Sequence, residues 1–234
     1  MRSLIYVPVI HTKADLGSLA NSVTKRGIAD LGEELWKRHE KTVEGFWEAI
    51  IKFFDSIEVA HFKIYQDGMI ADGEIGQKLV EHGLRSGSKN YELISRLLQK
   101  GAILVKTEDF NLVKEERDML FALTRANSII QRIITFTKYK LIKNKLITKR
   151  DEFIAKRINE TLKDGETGII FIGAYHNIKK YLHKDIQIKG VKDADKVKEY
   201  HMLLPFFNTN RKRFENLGKY LVSMVDMGEI GDKN

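Results

Sequence analysis

Leu4-Ile5-Tyr6-Val7-Pro8-Val9-Ile10-His11 decides the fold. The run is apolar almost throughout. It shows neither the alternation of a half-solvated strand nor a helical period, so it reads as a strand covered on both faces. Strands of that kind build parallel sheets sandwiched between helices. A second stretch of the same character, Ile169-Ile170-Phe171-Ile172, passes through Gly173-Ala174-Tyr175 into His176. Two buried strands therefore each run into a histidine.

Outward from these strands, short apolar runs alternate with longer helical ones, which predicts an α/β fold with a central, largely parallel sheet flanked by helices. Asp30 and Glu33 have capping-box spacing, and Val43, Phe46, Trp47, Ile50, Ile51 and Phe54 then form one helical face. Val59–Tyr65 is expected as a strand running into a turn at Gln66-Asp67-Gly68. Glycines and serines between Gly73 and Lys100 separate two short helices, and Ala102–Val105 is a further buried strand. A long helical segment is expected from about 110 to 147, with Met119, Leu123, Ile130, Ile133, Ile134 and Leu141 among its apolar positions. Thr148 and Asp151 have capping-box spacing for a new helix ending at Lys163-Asp164-Gly165. Ile186–Val191 is expected as another strand, and Phe214, Leu217, Leu221 and Met224 as one face of a C-terminal helix. With no solenoid repeat and no low-complexity linker, residues 1–234 read as a single domain.

The sequence contains no Cys, which excludes a disulfide framework, a thiolate zinc site and a cysteine nucleophile. That suits a reducing compartment, and cytoplasm is the expected location. Leu4–Ile10 is too short for a secretory core and is interrupted at once by His11, Lys13 and Asp15. No apolar stretch approaches the roughly 20 residues of a membrane span, so no membrane partner is expected. The net charge of +8 attracts phosphate-bearing partners without specifying one. Lys138, Lys140, Lys143, Lys145, Lys149 and Arg150 fall together with no acid among them, and Arg211-Lys212-Arg213 forms a second group. Each group is either a patch for nucleic acid or another acidic partner, or a solvated helix face. The aromatic interleaving of RNA-recognition surfaces is missing.

His11 and His176 carry the chemical interest, because ligands of open α/β sheets collect at the carboxyl ends of strands. Near neutral pH an imidazole can take a proton from water or ligate a metal. Carboxylates stand nearby in the pattern: Asp67 and Glu108 after strands, Glu58 before one, and Asp15 four residues past His11. Gly173 would let a ligand approach the backbone closely. This set suits Zn, Mn or Fe, and equally a metal-free acid–base pair, and spacing leaves both open. Local explanations compete: an Asx-turn for Asp67, helix capping for Asp151, and a helix N-terminus for Glu108. Walker A, GxGxxG, HExxH and GxSxG motifs are all absent, so nucleotide, zincin and serine-hydrolase readings lack support.

Taken in order, the motifs resemble the superfamily of TraB/GumN-like proteins, Tiki proteases, ChaN and erythromycin esterases. Val9-Ile10-His11-Thr12 resembles its GTxH-like motif without the leading Gly. Lys106-Thr107-Glu108 resembles its strand ending in an acid before a long helix. Arg150-Asp151 is similar to an arginine opening a helix, and Gly173-Ala174-Tyr175-His176 to its GxxH motif. The order spans residues 9 to about 182. The resemblance implies hydrolysis of an ester or peptide bond, in a small-molecule or peptide substrate, by water activated with or without a divalent metal; other members bind haem. On that implication His11, His176 and Glu108 act on the water, with Asp67 or Glu58 as the early acid and metal ligand. Arg150 would stabilise an oxyanion, and Gly173 and Tyr175 would lie against a bound cofactor.

Overall fold

The computed structural model describes residues 1–125 and 129–225, with the side chains at 16, 18, 19, 123–125, 129–138, 140 and 141 outside that description. Among the described residues five strands form one parallel sheet: β1 (Arg2–Val9), β2 (Lys63–Gln66), β3 (Ile103–Leu104), β4 (Thr167–Gly173) and β5 (Ile186–Gly190), in the order β3-β2-β4-β1-β5. The expected α/β architecture is thus present, with every strand pair parallel.

Alternate residues of the central strands feed two cores. Val7, Val9, Ile64, Ile169 and Phe171 face one side, where helix α2 (Glu33–Asp55) packs with α3 (Gly73–Arg85), α4 (Lys89–Gln99), α7 (Ala194–Leu203) and α8 (Phe207–Val222). Leu4, Tyr6, Tyr65, Ile170 and Ile172 face the other, under Ile154, Ala155, Ile158 and Leu162 of α6 (Ile129–Thr161). This two-sided burial is why β1 and β4 are apolar at nearly every position. Pro8 is tolerated in a central strand for a local reason. Tyr6 C=O accepts from Val191 N (3.0 Å), so Pro8, of the same parity, turns its nitrogen toward β5 only after β5 has ended at Gly190.

Several boundaries differ from expectation. Asp30 does not start a helix; it lies within α1 (Ala20–Leu31), and α2 begins after Gly32, whose φ of 83° interrupts the two. The strand expected from Val59 begins at Lys63, because His61 adopts a φ of 67° in a turn. The long helical segment is present as α5 (Phe110–Arg125) and α6, but α6 continues through Thr148, so no helix starts there. Leu123, Ile130, Ile133, Ile134 and Leu141 lie outside the described side chains, as do Lys138 and Lys140. Met224 lies beyond α8 and is exposed rather than part of its buried face. Among the described residues no helix is long and apolar enough to cross a membrane.

Candidate active site

β1 and β4 are adjacent and in register, with Val9 opposite Gly173, so the chain past both strands emerges at one rim. From there β1 leaves toward the α2 side, while the turn after β4 places Ile178 in the α6 core. Ligands of open α/β sheets collect where neighbouring strands diverge in this way. Trp47 on α2 donates its indole N–H to Ile10 C=O (2.9 Å), fixing the end of β1. Past His11, Asp15 Oδ2 accepts from Thr12 N (2.5 Å) and Thr12 Oγ1 (2.8 Å), while Asp15 Oδ1 accepts from the Ser88 hydroxyl at the start of α4. The loop carrying His11 is thereby pinned between two helices. His11 itself is exposed and has no hydrogen-bond partner among the described residues.

Asp67 follows β2 in a turn closed by Met69 N donating to Gln66 C=O (3.0 Å), with Gly68 at φ 81° where a side chain would be strained. Thr107 N and Glu108 N both donate to Met69 C=O (2.9 Å each), which brings the acid after β3 beneath that turn. Asp67 Oδ2 accepts from Gly173 N (3.2 Å) at the end of β4. Four strand ends therefore contribute His11, Asp67, Glu108 and His176.

Arg150 of α6 binds this group together. Its Nη2 donates to Asp67 Oδ1 (2.5 Å) and to Glu108 Oε1, its Nε to Glu108 Oε2 (3.3 Å), and its Nη1 to Glu116 of α5. One turn position on, Asp151 accepts from His176 Nδ1 (2.6 Å) and from Asn177 N (2.9 Å). The other ring nitrogen, Nε2, faces Asp67 Oδ2 at 3.4 Å. Burial alone would lower the His176 pKa, but its bonds to Asp151 and Asp67 prevail and raise it to about 10. The ring is an imidazolium at neutral pH. Burial opposes the charged form of Asp67 as well, yet His176, Arg150 and then His11 hold its carboxyl well below the usual range. Glu108, fully buried, is pushed up to about 7 by that burial despite Arg150.

The structure brings together His11, Asp67, Glu108, Arg150, His176 and Gly173, and revises several roles. Glu58 stands exposed ahead of β2, at the opposite end of a parallel strand, and does not reach the rim. Arg150 lies inside α6 instead of opening a helix, and its guanidinium is engaged by three carboxylates, so it positions the site and is not free to meet an oxyanion. Asp151 is no helix cap: it orients His176. Asp67 is no mere turn residue. Tyr175 is 49% exposed at the rim, beside Lys143 and Lys198. Asp151 was legible in principle, since no Gly or Pro interrupts residues 129–163 to end one helix and begin another. Glu116 gave no signal within the charged run Lys114-Glu115-Glu116-Arg117.

Among the described residues no three ligating side chains converge as a metal site requires. Asp67 commits its oxygens to Arg150, Gly173 N and His176, and His176 directs both nitrogens at carboxylates. The donors form an ion network that a metal would have to break. The basic groups are likewise reduced as a surface: Arg150 is buried, Arg211 pairs with Glu215 and Arg213 with Glu199. A separate cavity of about 400 Å³, lined by Asp30, Leu35, Arg38, Phe207 and Arg211, contains none of the candidate residues. No protein-family model, curated protein or solved structure matches this chain.

Proposed function

We propose that the chain is a hydrolase that activates water at the rim of β1, β2 and β4 to cleave an ester or peptide bond. The observation that carries this reading is that the exposed imidazole His11 leaves the strand end next to that of β4, close enough for its charge to act on Asp67, while His176 is held between Asp151 and the same Asp67. The two rings are suited to opposite tasks. His11 takes a proton from water, and the imidazolium so formed is stabilised by the negative Asp67. The hydroxide oxygen forms a bond to the carbonyl carbon, and the carbonyl oxygen becomes an oxyanion. Nε2–H of His176, only loosely engaged at 3.4 Å from Asp67, donates to that oxygen. On collapse the bond to the leaving alcohol or amine breaks, and the leaving group takes the proton from His11. Arg150, itself fixed by Glu108 and Glu116, holds Asp67 in place. Of the roles implied by the resemblance to the TraB/GumN, Tiki, ChaN and erythromycin esterase superfamily, His11 keeps its action on the water, His176 takes the oxyanion in place of Arg150, and Glu108, fully buried against Arg150, supports the network instead of acting on the water.

The test is hydrolysis of a panel of nitrophenyl esters and fluorogenic peptides by the full chain, with and without a chelator. His11→Ala and His176→Gln are each expected to lower kcat/KM by about 100-fold or more, the usual scale for positioned acid–base groups, and the chelator to leave it unchanged. Wild-type rates in both variants would refute the reading, and loss on chelation would replace it with a metal-dependent one.

A further inference from the structure

Lys143 of α6 and Lys198 of α7 come from helices on opposite faces of the sheet, yet both bring their ammonium groups within reach of one ring, Lys143 lying between it and Tyr139 (5.5 Å). Nζ of Lys143 lies 5.6 Å and Nζ of Lys198 lies 5.5 Å from the centroid of Tyr175, within cation–π range. Both lysines are half-buried, and neither has a carboxylate partner among the described residues. Two ammonium groups held over one half-exposed ring, neither within ion-pair distance of a carboxylate among the described residues, keep their charge available to an anion. Their place in the fold is equally specific. Tyr175 immediately precedes His176, and Lys143 is seven residues before Arg150, hence two turns away on the same side of α6 and about 10 Å along its axis. Lys198 shares a face of α7 with His201, three residues on, which feels the charge of His11.

We infer that Lys143, Lys198 and Tyr175 form an anion subsite at the rim, and that the substrate is a small molecule bearing a carboxylate or phosphate group. The role as a substrate subsite rests on the hydrolase reading; anion binding itself does not. Nucleic acid fits the surface less well, because several phosphate contacts are needed for useful affinity and Arg211 and Arg213 are already paired with Glu215 and Glu199.

Two measurements on the full chain test this. Calorimetric titration at low salt with inorganic phosphate, and separately with succinate, is expected to show saturable binding that weakens about tenfold in a Lys143→Gln/Lys198→Gln double variant; the stronger probe identifies the anion. Binding unaltered by the double variant overturns the subsite. A single-stranded oligonucleotide that binds far more tightly than either probe, steeply salt-dependent and lost in the double variant, overturns the small-molecule assignment. In the kinetic arm, nitrophenyl acetate and nitrophenyl succinate are compared. The double variant is expected to raise KM about tenfold for the anionic ester alone; an equal change for both esters overturns the subsite's part in substrate selection. If neither ester is cleaved while phosphate or succinate binding still falls in the double variant, anion binding stands and the hydrolase reading fails.

Discussion

Arg150 donates to Asp67, Glu108 and Glu116 at once while almost wholly buried. Removing one partner of a buried ion network leaves the others uncompensated. Arg150→Met is therefore expected to destabilise the protein by about 3–5 kcal/mol, read from urea denaturation; a cost below about 1 kcal/mol would show that the network is not closed as described. Arg150→Lys restores little, since an ammonium cannot reproduce the planar fork. His176 gives the network a pH signature. Its pKa is raised from 6.5 to about 10, so its stabilising contribution is complete below pH 6.5 and is lost as pH rises toward 10. Glu108, also raised, loses its contribution as pH rises from about 4.5 to about 7, whereas Asp67, lowered, loses its own only on acidification. Within this network the fall in Tm between pH 7.5 and 9.5 thus belongs to His176, and His176→Gln is expected to flatten it by roughly 3 °C or more. Parallel slopes in wild type and variant would sink that assignment. Sequence order named most of these residues but misassigned Arg150 and Asp151. Capping rules are local, while the partners that decide these roles lie 42 and 25 residues away.

At the scale of elements, helix starts give the sharpest contrast. Ser88 caps α4, accepting from Tyr91 N (3.2 Å), and its hydroxyl also holds Asp15 beside His11. Thr148, with capping-box spacing to Asp151 that Ser88 lacks, sits within α6. Ser88→Ala is expected to cost about 1 kcal/mol, and Thr148→Ala to be neutral or slightly stabilising, as Ala is the better helix former. Chemical denaturation of both distinguishes them, and an equal cost would mean that a helix does begin at Thr148. The buried strands β1 and β4 were legible because both faces are covered, leaving continuous apolar runs. β2 was legible only in part, since the φ of 67° at His61 that delays it leaves no mark on hydrophobic periodicity.

For the whole molecule, strand order was not legible in the sequence. Apolar runs announce strands, but that β4 inserts between β2 and β1, sending its turn to one face while β1 leaves by the other, depends on contacts across the full chain. That insertion is what brings two distant histidine-bearing strand ends to one rim. Because the chain lacks Cys, the arrangement can be read by cross-linking without background thiols. His11→Cys/Tyr175→Cys, treated with a short bifunctional maleimide and followed by mass spectrometry, is expected to give an intramolecular adduct rapidly. The control Glu58→Cys/Tyr175→Cys, from opposite ends of the sheet, is expected to give single additions only. An adduct in the control but none between 11 and 175 would contradict a shared rim, and with it the site.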